Sequence, residues 1–297
     1  MTSSASFPDG SPERRLAIVT PSMIGSAQRA AFAHASLAEL QKYQGAAFAH
    51  IVVDDPPKHR GRLFGIVPAK LTMRIPNFAL RGAARDIYAS TSNVRLIHRD
   101  GGNSIDAVRR ALGEVRALGS DYVFIHLDDN AYIPILANLL RHCIAAMDIL
   151  PDLNLVRLSA YPIISGHHDR ERGNMAFCER VEDTVRFDSV ILRPVRLEGF
   201  TVWRAAWDAS TADGQFWPIM LWNAVYRVGF LDDILARAAA QRLRNLGEAE
   251  AWYKSNWRQI QPVPGSFGFI NMQFAGLERE RNANWQELVS LPNRAVL

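Results

Sequence analysis

Cysteine is almost missing from this chain of 297 residues: Cys143 and Cys178 stand far apart, with no Cys or His at ligand spacing beside them. Two such residues make neither a disulfide framework nor a zinc module, and their scarcity suits a reducing compartment. No run of about 18 apolar residues occurs, so no segment is expected to span a bilayer. The Ser- and Pro-rich start lacks the apolar stretch of a signal peptide, and residues 1–14 are expected to form a disordered lead-in. There is no Gly-rich phosphate loop with a following Lys near the start, which speaks against a nucleotidyltransferase. Internal repeats and recognisable linkers are lacking too, which leaves one expected domain over residues 15–297. The formal net charge of +4 is too modest to name a partner by itself.

What is present is an ordinary enzyme-like composition, 48% hydrophobic and 22% charged, enough for a core without covalent staples. Leu16 to Thr20 reads as a buried strand that stops at Pro21. An Ala-rich helix follows, with Ala33, Leu37 and Leu40 on one face. Strands are predicted at His50–Val53 and Val94–Ile97. Between Asn103 or Ser104 as N-cap and Gly119 as stop, Ile105, Val108, Leu112, Val115 and Leu118 make one helical stripe. Tyr122 to Leu127 is a near-continuous apolar strand, as a sheet covered on both faces requires. Ile135, Leu139, Leu140, Cys143, Ile144 and Met147 define another helix, and Asn154 to Leu158 another strand. This alternation predicts an α/β fold, a mostly parallel sheet with helices on both faces. The second half is less regular, with strands expected at Arg186–Leu192 and Trp217–Arg227 and a helix at Phe230–Leu243.

Polar clusters fall just after three strand ends: Asp54-Asp55, Arg99-Asp100 and Asp128-Asp129-Asn130. Ligands of open α/β sheets bind beyond the carboxyl ends of the strands, so these loops are expected to share one site. Hard carboxylate oxygens there suit Mg²⁺ or Mn²⁺ held against a diphosphate. The plainer reading is that strand-end Asp residues fill turns and cap helices.

The ordered set of segments, IVTPS, IVVDD and VRLIHRDGGNSIDAVRRALGEVRALGSDYVFIHLDDN, resembles the family 2 type of GT-A glycosyltransferase over roughly residues 15 to 160. The resemblance implies a nucleotide-sugar-binding half at residues 15–160, an acceptor-binding half at 161–297, and transfer of a sugar from a nucleotide-diphosphate sugar with Mn²⁺ or Mg²⁺, with inversion. By the same likeness Pro21 and Ser22 border the nucleoside, Asp54 faces the base with Asp55 beside it, and Arg99 or Asp100 lies near base or ribose. Asp128 approaches ribose or metal, and Asp129 and Asn130 complete the metal site. Asn130 stands where the family often has a carboxylate, and Gln273 where it often has a His.

The resemblance also implies a carboxylate base in the second half, to take the acceptor's proton. Gly247-Glu248-Ala249-Glu250 offers Glu248, then Glu250, with Asp232 and Asp233 as rivals; all four also read as solvated helix-end acids. Residues 58–85 hold seven Lys and Arg and no acid. That stretch reads as a solvated face or loop that steers anions or rests peripherally on the inner face of a membrane. No nucleic-acid motif accompanies it. His167, His168 and Asp169 read as surface. Trp203, Trp207, Trp217 and Trp222 read as core or as a platform for sugar rings. The expected partners are therefore a nucleotide-sugar donor and a glycan or lipid-linked acceptor, in the cytoplasm. A nucleotidyltransferase and a non-catalytic nucleotide- or glycan-binding relative are the alternatives.

Overall fold

The computed structural model describes residues 15–22, 24, 27–44, 48–54, 58–61, 73–76, 83–89, 91, 93–98, 103–127, 136–159, 178–181, 184–187, 190–198, 200–207, 221, 224–260 and 267–271. In chain order the first half gives β1 (Leu16–Ser22), α1 (Ala27–Gln44), β2 (Ala49–Asp54), β3 (Lys58–Gly61), β4 (Met73–Pro76), α2 (Ala83–Tyr88), β5 (Val94–His98), α3 (Ser104–Ala117), β6 (Tyr122–Ile125), α4 (Leu136–Ile149) and β7 (Leu155–Ser159). The second half gives β8 (Cys178–Val181), β9 (Thr184–Phe187), β10 (Val190–Leu197), β11 (Phe200–Trp207), β12 (Ala224–Arg227), α5 (Val228–Ala240), α6 (Leu246–Ile260) and β13 (Phe267–Asn271).

One sheet runs β5-β2-β1-β6-β12-β7-β13-β11-β10-β9-β8. Among its first seven strands only β12 is reversed: β1, β2, β5 and β6 pair parallel, β12 is antiparallel to both β6 and β7, and β13 is parallel to β7. The α/β class with a mostly parallel helix-flanked sheet is thus present, and an antiparallel extension, β11 to β8, is added at one side.

Alternation along the strands sorts the core into two faces. Ala17, Val19, Ile51, Val53, Val123 and Ile125 meet α3, α5 and α6 on one side. Leu16, Ile18, Tyr122 and Phe124 meet α4 and the end of α1 on the other, where α1 and α2 also enclose Val52. Strands buried on both faces can afford few polar residues, which is why β1, β2 and β6 read as nearly unbroken apolar runs.

α3 follows its stripe closely. Ile105, Val108, Leu112 and Val115 are all buried, and Asn103 is the N-cap, its side-chain oxygen accepting the Asp106 N–H at 2.8 Å. Leu118 is the exception, being 44% exposed: the helix ends at Ala117, and Gly119 takes φ +76, a left-handed turn that glycine adopts without strain.

Elsewhere the chain departs from its expected elements. Residues 186–192 contain the break between two antiparallel strands, β9 and β10, not one strand. The expected strand at 217–227 is confined among the described residues to Ala224–Arg227, and α5 starts and ends earlier than residues 230–243. The basic stretch is not only loop, because β3 and β4 pair antiparallel as a separate two-stranded sheet with Arg60 opposite Arg74. Among the described residues no helix is long and apolar enough to cross a membrane.

Candidate functional site

From β1 the chain steps outward to β2 and β5, then returns to place β6 on the other flank of β1. A reversal of strand order opens a crevice beyond the carboxyl ends of the strands. The last residues of β1, β2 and β5 stand in register there as Ser22, Asp54 and His98. Ser22 is fully buried and Asp54 is 9% exposed, so a carboxylate sits nearly enclosed at the strand ends. Burial of that kind is costly unless the group is hydrogen-bonded, and function is a common reason to retain it. Pro21, opposite Val53, alternates to the other side of the sheet from Ser22.

Directly beneath that row lies a buried polar chain that the sequence reading did not single out. The Thr20 hydroxyl is 2.6 Å from Nε2 of His50 and 2.6 Å from Nδ1 of His126, whose Nε2 is 3.0 Å from the Ser36 hydroxyl of α1. All four residues are within 1% of complete burial. Among the described residues His50 Nδ1 has no hydrogen-bond partner. That fixes the direction of the chain, because an orphaned buried acceptor is tolerated better than an orphaned N–H. His50 therefore donates from Nε2 to Thr20, Thr20 donates to His126 Nδ1, and His126 donates from Nε2 to Ser36, an assignment made from the network. Burial lowers the His50 pKa to about 3; it also holds His126 well below its ordinary value, with repulsion from His50 as a smaller cause. Both imidazoles are neutral.

The carboxyl edge also receives groups from the second half of the chain. β12 runs against β6 with Ala224 opposite Ile125, which brings the approach to β12 to this edge. There the Leu221 N–H donates to Glu250 Oε1 at 2.6 Å. The Asn103 amide donates to the Leu243 carbonyl at 3.2 Å, so the start of α3 holds the connection between α5 and α6 at the same edge.

Glu248 has a different environment. Its carboxylate accepts the Arg244 backbone N–H at 2.8 Å and the Arg244 guanidinium at 2.8 Å, while Asn245 Oδ1 accepts the Glu248 N–H at 2.9 Å. This is close to a capping box, with Asn245 as cap. The backbone N–H of Arg244 and then its guanidinium lower the Glu248 pKa, the reverse of what a base requires. Asp232 lies toward the opposite edge. α5 begins where Arg227 pairs with Tyr122, at the amino ends of the strands. Burial tends to raise the Asp232 pKa, but ion pairs with Arg116 at 2.8 Å and Arg109 at 3.0 Å outweigh it and the result is lowered. Asp233 pairs with Arg237 one turn along the helix. Of the rival pair, Asp232 clamps α3 to α5, while Asp233 is used within α5.

Asp55, Arg99, Asp100, Asp128, Asp129, Asn130, Gln273, His167, His168, Asp169, Trp217 and Trp222 lie outside the described residues. Among the described residues no group of three or more His, Cys, Asp or Glu is placed to hold a metal ion. Trp203 and Trp207 do not share a place: β11 has Trp203 opposite Phe269 and carries Trp207 four residues further toward the amino edge, about 13 Å along the strand. No protein-family model matches the chain, and a search of curated proteins gives no match.

Proposed function

We propose that the chain is a glycosyltransferase of the GT-A kind, binding a nucleotide-diphosphate sugar at the carboxyl edge of the parallel strands. The observation that carries this reading is the nearly enclosed Asp54, in register with Ser22 at the strand ends beside the reversal of strand order. A carboxylate so placed suits hydrogen-bond donors on a nucleobase or ribose. Asp128, Asp129 and Asn130 follow the end of β6 by three to five residues and supply hard oxygen donors of the type Mg²⁺ or Mn²⁺ prefers. When bound, such an ion neutralises charge on the departing diphosphate.

In the transfer, the acceptor oxygen bonds to the anomeric carbon as the bond from that carbon to the diphosphate oxygen breaks. A carboxylate must take the acceptor's proton as this happens. Geometry favours Glu250 over Glu248 for that role. Glu248 is engaged as a helix cap, whereas Glu250 is held to the Leu221 N–H at the edge where the donor would lie. The Leu221 N–H contact sets the orientation of the Glu250 carboxylate at that edge.

The reading is tested by thermal shift with UDP, GDP, CDP and ADP, each with and without Mn²⁺. A ligand that binds only the native state raises its apparent stability by mass action. One diphosphate should raise the melting temperature in a Mn²⁺-dependent way, and Asp54→Ala should abolish the shift in a protein that still melts cooperatively. No shift with any of the four would remove the basis of the proposal.

A further inference from the structure

We propose that His126 is a positioning residue, which sets the direction in which the chain leaves β6 toward Asp128 and fixes its distance from the β1 exit at Pro21 and Ser22. The inference rests on the proposed function for what those exits hold, but the positioning itself is a property of the fold.

His126 is fastened at three points. Its backbone N–H donates to the Val19 carbonyl at 3.0 Å, extending the β1–β6 ladder one residue past the end of β6. Its Nδ1 accepts from Thr20 on β1, and its Nε2 donates to Ser36 on α1. Thr20 in turn is bonded to His50 on β2, with the His50 and His126 rings edge to face at 5.9 Å. One chain of hydrogen bonds thus ties β2, β1, β6 and α1 together at the reversal of strand order, one layer below the Ser22–Asp54 row.

A core needs no such chain for stability. Apolar side chains of similar shape would fill the space without desolvating two imidazoles and two hydroxyls. Apolar packing is non-directional, however, while each of these hydrogen bonds fixes an orientation. Thr20 stands two residues before Ser22, and His126 two before Asp128. The polar chain thus lies just inside the carboxyl ends of β1 and β6.

The test uses hydrogen exchange in the full chain, read over residues 126–130, with β7 and α5 as internal references. Thr20→Val and His126→Leu should speed exchange over 126–130 by roughly tenfold, the factor one ordinary hydrogen bond carries, and leave β7 and α5 unchanged. Thr20→Ser, which keeps the hydroxyl, should restore wild-type rates. A side chain that only filled space would show no such rescue. Where a diphosphate binds with Mn²⁺, its affinity should fall by a similar factor in Thr20→Val and recover in Thr20→Ser. If Thr20→Val and His126→Leu fail to fold, Ser36→Ala removes the α1 arm alone and is judged by the same criterion. Wild-type exchange over 126–130 in folded variants, or acceleration spread equally over β7 and α5, would overturn the positioning role. Failure of the wild type to bind any diphosphate would overturn the glycosyltransferase reading instead, and the exchange data would still decide the role of His126.

Discussion

The two edges of the parallel strands are built from different chemistry. At the amino edge Arg15 donates to Asp121 at 3.0 Å and to Asp148 at 2.7 Å, Tyr122 donates to Asp148 at 2.6 Å, and Arg227 donates to the Leu153 carbonyl at 3.0 Å. The Arg15 and Arg227 guanidinium carbons lie 5.3 and 5.6 Å from the Tyr122 ring centroid. Every member of that cluster is used up by a neighbour of matching chemistry. Burial alone would raise the Asp148 pKa, but Arg15 and Tyr122 outweigh it and hold the carboxylate ionised. At the carboxyl edge lie neutral imidazoles, hydroxyls, the nearly enclosed Asp54 and Glu250, with the Arg244–Glu248 ion pair on the connection from α5 to α6. One edge is closed by permanent ion pairs. The other places buried polar groups at and just below the strand ends, the side of an open α/β sheet at which ligands bind.

The sharpest way to break this contrast is through Glu250. Glu250→Gln should lower sugar transfer by about 100-fold or more, since general-base assistance is worth that much. Glu248→Gln should leave transfer largely intact and lower the melting temperature slightly through its weakened cap. Comparable losses of transfer from both, measured as initial rates on folded proteins, would erase the distinction between the two carboxylates.

Acid should reach the carboxyl edge before the amino edge. His50, with its pKa lowered to about 3, stays neutral when folded, whereas unfolded His takes up a proton near pH 6.5. The unfolded state therefore binds more protons below that pH, and stability falls as pH drops. The slope approaches about 1.4 kcal/mol per pH unit for each buried His. The depressed carboxylates Asp148 and Asp232 add their own loss only nearer pH 4, as their protonation becomes favourable in the unfolded chain. Urea midpoints followed from pH 7.5 to 5 should decline in the wild type and decline less in His50→Gln. A flat profile in the wild type would contradict the neutral pair.

A smaller effect is expected at the closed edge. Arg15→Ala should cost about 1–2 kcal/mol of stability, because its contacts are charge-assisted but partly exposed, and it should leave diphosphate affinity unchanged. Denaturation and calorimetry on the same variant separate the two, and a loss of affinity would show that the edges are coupled. The smallest change is Tyr253→Phe, which removes the hydroxyl that donates to the Ile234 carbonyl between α6 and α5. About 1 kcal/mol should be lost, again with no effect on binding.

Much of the first half was legible in the sequence, because amphipathic period and apolar runs report burial directly. The stripe of α3 and its Asn103 cap are examples, as are the runs that became β1, β2 and β6. Strand direction was not legible: Ala224–Arg227 carries no mark of being reversed between β6 and β7, since alternation is the same read either way. Leu118 misled because periodicity continues past the residue where the helix ends. Within the candidate site, the place of Asp54 at a strand end was legible, whereas the polar chain beneath it depended on distant pairing. His50 and His126 interrupt apolar runs, a signal that a buried polar group needs a partner. Only the fold shows that Thr20 and Ser36 are those partners. The sequence ranks Glu248 above Glu250 by likeness; the Arg244 and Asn245 contacts that engage Glu248 as a cap depend on local geometry that likeness does not carry.

The most direct measurement is release of nucleoside diphosphate from a panel of sugar nucleotides by the purified chain in Mn²⁺. The account predicts release from a donor carrying one preferred base, suppressed by EDTA, by Asp128→Ala and by Asp54→Ala, and unaffected by Arg15→Ala in folded protein. Absence of release from every donor, or release that survives EDTA and both carboxyl-edge substitutions, would contradict it.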